Sequence, residues 1–523
     1  MFVRDFIHRS ALAFPSKPAF VDSDRQLTWP QVDERSDRFA VALQGLGVAK
    51  GDAVGLLSYE YMEVMEHWFA CLKIGARRTG INWRYSEREL LHIVTDSSIK
   101  VLLVSTECVP LIKEHLDDFR GLGITLIGYG DEHGLDHDYE SLLKASDGAP
   151  KWPALDDADI AMISYTSGTT GLPKGAMLTQ GAVRESLVHT ALALGVNAED
   201  VFFMPGTTPG VPILLNSFGL VSGATTVLPN GLFTPDRYLQ AIEDHQVTFT
   251  GGVPTMLLRV LEVKAAGNYD VSSVRCICYG SSPATPALIR DLYANFNCDL
   301  VQFYGLTETT GGWLTFLRHQ DHLRALAGEE HLLTSCGRAS PHVEISVRTA
   351  GGEEVPTNEV GEVWVRGEIL TAGYLNRPED NAELFRGDWI STHDMGRKDE
   401  EGFLYLTDRK KFLIITGAFN VYPVVIENVL AEHPAVREVA VIGAPHPDWG
   451  EAVVGAVSLN AGAEVTGEEL IEFCRDKVGK WEVPKYIEIL DELPHGSTNK
   501  IAKHQVRQWY RDDPKRLPWD APA

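Results

Sequence analysis

Through the first half of the chain, short continuous apolar runs alternate with longer stretches in which apolar residues recur at helical spacing. AVGLLS (53–58) predicts a buried strand and leads into a helical stretch through Trp68 and Leu72. VLLVS (101–105), VTFTGG (247–252), VRCICYG (274–280) and DLVQFYG (299–305) predict further strands. VTFTGG runs through Val253-Pro254-Thr255 into the apolar helix MLLRVLEV. VRCICYG leads into PATPALIRDLYANF, where Thr285 suits a helix cap and Pro286 the first helical position. Strands alternating with helices imply layered α/β sheets, whose ligands sit beyond the carboxyl ends of the strands. From about 335 to 408 the pattern changes to short alternating runs (VEISV, EVGEVWVRG, GFLYLTD), predicting a small β-rich, barrel-like subdomain. Beyond Arg409, a compact α+β segment is expected: IENVLAEH and GEELIEFCRDKV as helices, REVAVIGA and AVVGAVSLN as strands. Residues 512–523, rich in proline and charge, read as a loose tail.

The chain of 523 residues is too long for one core. The expected division is a large N-terminal domain over 1–408 and a small mobile domain over 409–523. A net charge of −25 argues against a nucleic-acid partner, because phosphate contacts need clustered Lys and Arg. It leaves an anionic small molecule allowed, since a few local cations and backbone dipoles suffice. The N-terminus MFVRDFIHRSALAF carries charges through its apolar positions, unlike a signal peptide, and no apolar run is long enough to span a membrane. The seven cysteines are scattered and odd in number. Cys276 and Cys278 share one strand face, which reads as core packing. A reducing cytoplasm is the expected location.

Residues 165–175, YTSGTTGLPKG, concentrate the candidate chemistry. Glycines let backbone N–H groups approach a bulky anion, hydroxyls add donors, and Lys174 adds a point charge. The spacing departs from the Walker pattern, and an exposed Gly/Thr/Ser loop is the competing reading on composition alone. Gly280-Ser281-Ser282-Pro283 follows a strand, so its backbone can lie flat against a planar ring. Tyr304-Gly305-Leu306-Thr307-Glu308 joins an aromatic ring, a glycine that admits substrate, a hydroxyl and a carboxylate suited to phosphate and Mg²⁺. Asp394 in STHDMG could accept both hydroxyls of a ribose. The string Gly-x-Ser-x-Gly is absent, as are His-Glu-x-x-His and Cys-x2-Cys, so hydrolase and zinc chemistry lack support.

These strings, in this order over 160–503, resemble the adenylate-forming superfamily of acyl-CoA synthetases, peptide-synthetase adenylation domains and beetle luciferases. The resemblance implies ATP and Mg²⁺ as cofactors, with a small-molecule acid and coenzyme A as substrates. It implies that Thr166, Ser167, Gly168, Thr169, Thr170, Gly171 and Lys174 cradle phosphates, and that Ser281, Ser282, Pro283 and Tyr304 line the adenine pocket. Thr307 would meet the α-phosphate and Glu308 the metal; Asp394 and Arg409 would hold the ribose. Lys411 falls at the family's hinge, although Lys410-Lys411 alone would read as a solvated pair. Gly417 and Ala418 fall on the acceptor tunnel. Lys500, in LPHGSTNK, matches the lysine that reaches the carboxylate and ATP oxygens; with Thr307 and Glu308 it forms the expected catalytic set. Thr208, Gly280 and Gly305 are expected around the acyl group.

Four positions depart from the common pattern. Thr208 stands where many relatives carry a histidine, Ala418 replaces a glycine, His393 replaces a small residue, and Asn499 precedes the lysine in place of glycine. The implied activity is ATP-dependent activation of a carboxylic acid as an acyl-adenylate, then transfer to coenzyme A. Amide formation, carrier-protein loading, and activation of nitrite for diazotisation of an amine stay open, as does a homodimer.

Overall fold

A computed structural model describes residues 1–519 except 167–171, 207–209, 410–411, 417–418, 476 and 497–499, and gives the backbone alone at 408, 409, 419 and 420. Two large sheets dominate. The first has seven strands, in the order His137–Asp138, Thr125–Tyr129, Ile99–Ser105, Ala53–Leu57, Arg77–Ile81, Ile160–Thr166 and Lys174–Thr179. All neighbours are parallel except the last pair, which forms an antiparallel hairpin. Ala53–Leu57 is buried along its whole length, as expected of a parallel strand covered on both faces.

The second sheet has nine strands. Its parallel centre includes Val201–Phe203, Phe249–Gly252, Cys276–Gly280 and Asp299–Tyr304. Side-chain alternation splits Cys276–Gly280 between two cores. Cys276 and Cys278 join the cluster containing Phe249 and Trp313, while Ile277 and Tyr279 face the cluster containing Leu257 and Leu292. The predicted cap forms: Thr285 accepts a hydrogen bond from Leu288 N, and Pro286 begins the helix Pro286–Phe296. Register places Gly252 beside Tyr279 and Gly280 beside Phe303, so these strands end together on one edge.

The β-rich segment is an antiparallel five-stranded sheet of Val343–Arg348, Gly361–Gly367, Trp389–Lys398, Phe385–Arg386 and Leu404–Arg409. Arg338–Ala339 belongs instead to the edge of the nine-stranded sheet. A last sheet comprises Phe419–Val421, Ile414–Thr416, Gly450–Leu459, Val436–His446 and Tyr486–Leu490, and is packed by the helices Pro423–Ala431, Gly467–Arg475 and Lys503–Asp512.

The tail expected to be loose is docked through residue 519. Leu517 is buried with Val506 and Tyr510, and Trp519 Nε1 donates to Pro445 O at 2.9 Å. Apolar anchors spaced along a charged segment overrode its composition. All seven cysteines are buried thiols. Among the described residues no helix is long and apolar enough to cross a membrane.

Three histidines are held neutral by burial. His322 accepts from the Tyr279 hydroxyl through Nε2 at 2.6 Å and donates from Nδ1 to Arg318 O at 2.9 Å, and burial lowers its pKa to about 4. Burial likewise takes His67 to about 3 and His342 to about 4. A ring with a depressed folded pKa contributes stability that is complete above the unfolded value near 6.5 and is lost as pH falls toward the folded value. The thermal midpoint should therefore drop between pH 7 and pH 5. His322→Gln should be less stable at pH 7.5 but show a shallower loss over the same interval. Equal slopes for the two proteins would remove His322 from the explanation.

Candidate functional site

The carboxyl edge of the nine-stranded sheet and the hairpin end of the seven-stranded sheet meet the β-rich segment. The predicted residues of 1–409 that the structure describes lie on these elements. The glycine- and threonine-rich string is the connection of the hairpin Ile160–Thr166/Lys174–Thr179, with Thr166 paired to Lys174. Ser167, Gly168, Thr169, Thr170 and Gly171 lie outside the described residues, while Thr166 and Lys174 bracket them. Thr166 Oγ1 donates to Lys174 O at 3.4 Å. The Lys174 ammonium is ion-paired with Asp380 and lies 5.7 Å from the Tyr374 ring centroid.

Glu308 sits in the single turn Thr307–Thr309 that follows Tyr304–Gly305. Its Oε1 accepts from the Tyr374 hydroxyl at 2.5 Å and its carbonyl accepts from Thr371 N at 2.7 Å. Tyr374 thus touches both the candidate phosphate cation and the candidate metal carboxylate. The neighbouring Thr310 donates to Ile369 O at 2.7 Å.

Tyr304 donates its hydroxyl to Asp394 Oδ2 at 2.5 Å. Burial, with the adjacent Asp394 carboxylate adding to it, raises this phenol well above its ordinary range, so it stays a donor. Asp394 is itself buried, and strand register sets it directly opposite Arg409 in the neighbouring strand. His393, just before it, takes left-handed backbone at φ +57°, where a small or polar residue costs least.

Gly280 and Gly305 answer to close backbone approaches. A Cβ at Gly280 would lie 2.3 Å from Phe303 O, and one at Gly305 2.5 Å from Gly312 O. The neighbouring Ser281 has φ +65°, which turns the chain sharply out of the sheet, and Ser282-Pro283 continue that turn.

Lys500 is exposed, on a loop closed by Gly496 N to Lys500 O and Ala502 N to Pro494 O, both 2.7 Å, ahead of the helix Lys503–Asp512. Ile414–Thr416 and Phe419–Val421 pair across the connection that holds Gly417 and Ala418. Those two residues, Lys411 and Thr208 lie outside the described residues, as does the Arg409 side chain.

Tyr374 and Asp380 were not legible as site residues. They come from GYLNRPED, a proline- and glycine-marked loop with no anion-binding look, and act on partners far away in sequence. Among the described residues no cluster of three or more His, Cys, Asp or Glu could hold a metal by itself. A divalent ion beside Glu308 would share its shell with substrate oxygens, the usual arrangement for Mg²⁺.

The model for "AMP-binding enzyme" matches residues 7–375, and that for its C-terminal domain matches 425–500. The chain is 33% identical over 522 residues to an indoleacetate–CoA ligase of Aromatoleum aromaticum, covering 97% of this chain and 98% of that one. In structure it is similar to an amide bond synthetase of Marinactinospora thermotolerans (TM-score 0.86, 28% identity, covering 98% and 100%). It is also similar to an o-succinylbenzoate CoA synthetase of Bacillus subtilis bound to its acyl-adenylate (TM-score 0.82, 28%, covering 96% and 97%).

Tyr304→Phe should leave the buried Asp394 carboxylate one donor short. Losing a donor to such a group costs about 1–3 kcal/mol, so the thermal midpoint should fall by several degrees. An unchanged midpoint would mean that water or another group already serves Asp394.

Proposed function

We propose how the work is divided in a chain that belongs to the AMP-binding enzyme family. The reaction is ATP-dependent activation of a carboxylic acid as an acyl-adenylate, with release of pyrophosphate, followed by transfer of the acyl group to coenzyme A. Fold alone does not select the acceptor, since an amide bond synthetase shares it. The CoA-ligating relatives over nearly the whole chain favour the thiol.

A carboxylate is a poor electrophile, and its attack on the α-phosphorus of ATP brings anions together in a site where water no longer screens them. In this reading Thr166 through Gly171 and Lys174 hold the phosphates, and Thr307 meets the α-phosphate. Tyr304 with Ser281, Ser282 and Pro283 borders the adenine. Asp394, accepting a hydrogen bond from Tyr304, and Arg409 hold the ribose. Glu308, in a half-buried turn and oriented by Tyr374, suits a hard cation. Mg²⁺ held there would supply charge neutralisation to the phosphate oxygens. The observation that carries the assignment is the contact chain Lys174–Tyr374–Glu308, which brings the two phosphate-directed motifs to one place.

Lys500 would lie against the reacting carboxylate and α-phosphate in the first step. For the second, rotation of a C-terminal domain beginning at 409, about Lys411, would replace it with the 417–422 loop and admit the thiol beside Gly417 and Ala418. Thr208, Gly280 and Gly305 would border the acyl group. The buried free thiols suit a reducing cytoplasm.

The test is acid-dependent ATP–pyrophosphate exchange across a panel of acids, with mass spectrometry of the product formed with coenzyme A. Lys500→Ala should lower exchange by about 10²–10³-fold, the usual cost of removing one preorganised stabilising group, yet still convert supplied acyl-adenylate to the thioester. Exchange and thioester formation both at wild-type rates would overturn the role given to Lys500. Exchange driven by nitrite alone would overturn the carboxylate.

A further inference from the structure

We propose that Asp380 is a built-in stand-in for the ATP phosphates, holding Lys174 while the nucleotide is absent and yielding it when the triphosphate arrives. The proposal rests on the reading of Lys174 as a phosphate ligand. It goes beyond that reading by assigning a function to a segment outside the recognised motifs.

The geometry favours exchange over a permanent structural pair. Asp380 sits in the first turn of the helix Pro378–Leu384, whose Leu384 is buried in the core. The segment before it is pinned. Tyr374 N donates to Asn381 Oδ1 at 2.6 Å and Asn381 Nδ2 returns a bond to Tyr374 O at 2.9 Å. Main-chain bonds from Ala372 N to Met177 O at 2.9 Å and from Leu375 N to Gly175 O at 2.8 Å then fix the segment along the strand that carries Lys174. Asp380 is therefore the fixed partner, and the four-carbon stem of Lys174 is the part free to swing.

Side-chain exposures of 26% for Lys174 and 29% for Asp380 leave about a quarter of each side chain open to water. Water at the pair screens it, so separation costs less than for a fully buried pair. A triphosphate offers Lys174 several anionic oxygens in place of one carboxylate, and Asp380, left behind, stays hydrated. Tyr374 does the parallel job on the same segment, donating its hydroxyl to Glu308. One rigid loop thus occupies the cation and the carboxylate that the nucleotide and its metal would use. When pyrophosphate leaves, return of Lys174 to Asp380 competes with its recapture.

The prediction concerns ligand binding, measured by calorimetric titration of the full chain with ATP and separately with pyrophosphate, without acid. Lys174→Ala should weaken both ligands. Asp380→Asn and Asp380→Ser, shown by circular dichroism to fold, should tighten both by about three- to fivefold, the scale of a lost part-exposed competitor. Asp380→Glu should stay near wild type. Weaker or unchanged binding in the neutral Asp380 variants, with Lys174→Ala still weakening it, would overturn the proposal and make Asp380 an orienting residue. Wild-type affinity in Lys174→Ala would instead remove the phosphate role of Lys174, and the proposal with it.

Discussion

The segment 369–375 is stitched on one side to a strand of the seven-stranded sheet and on the other to a turn of the nine-stranded sheet. Met177 N donates to Gly373 O, Ala372 N to Met177 O, and Leu375 N to Gly175 O. Across the strap, Thr371 N donates to Glu308 O and Thr310 Oγ1 to Ile369 O. Lys174 and Glu308 belong to different sheets, so nothing in either sheet alone sets the distance between them. The strap does. At about 0.5–1.5 kcal/mol net per bond, five such bonds amount to on the order of 3–7 kcal/mol. That is a large share of the stability of any local region, and positioning to a fraction of an ångström is what the chemistry needs.

What could be read from the sequence follows from the range of the interactions involved. Strands, the Thr285-Pro286 helix start and the facing of Cys276 and Cys278 are local consequences of alternation and capping, and the structure has them where the pattern put them. The motif residues were legible because their chemistry is written in adjacent positions: hydroxyls between glycines, or an aromatic, a glycine and a carboxylate in one string. Tyr374 and Asp380 carry no local sign. Their meaning arises only when the strap brings GYLNRPED against residues from two earlier segments. At Gly280 and Gly305 the missing side chains also make room for neighbouring carbonyls, a close approach that no local pattern announces. The docked tail was hidden for a similar reason. Leu517 and Trp519 are two apolar residues in a charged stretch, and their partners His446 and Tyr510 come from other elements.

A net charge of −25 looks ill suited to a nucleotide-using enzyme. The site resolves this by distance. At physiological salt, charges more than about 8 Å away are largely screened at the surface, so the groups within contact distance decide. Here the cation among them is Lys174. Of the anionic groups beside it, Glu308 is hydrogen-bonded by Tyr374 and Asp394 by Tyr304, and Asp380 is partly in water, which screens its charge once Lys174 turns to the phosphates. An overall acidic protein can hold a polyanion when its local acids are hydrogen-bonded or screened by water.

The same reasoning bears on how two half-reactions would share one site. Lys500 and the strands Ile414–Thr416 and Phe419–Val421 belong to one C-terminal unit, and the helix Lys503–Asp512 ties them together. Lys503 pairs with Glu427 at 2.7 Å, and Glu427 also accepts Val441 N at 2.7 Å. Arg507 pairs with Glu451, which accepts Ile415 N at 3.1 Å, in the strand that leads to residue 417. With both features anchored to one helix, neither can shift far without the other. A local loop swap would break these pairs and strand partly buried charges, whereas rotation of the whole unit about the chain near Lys411 leaves all of them intact. Under the proposed division of labour, exchange of Lys500 for the thiol tunnel is therefore a rigid-body step, and its barrier lies at the hinge and the interface it crosses rather than inside the C-terminal core.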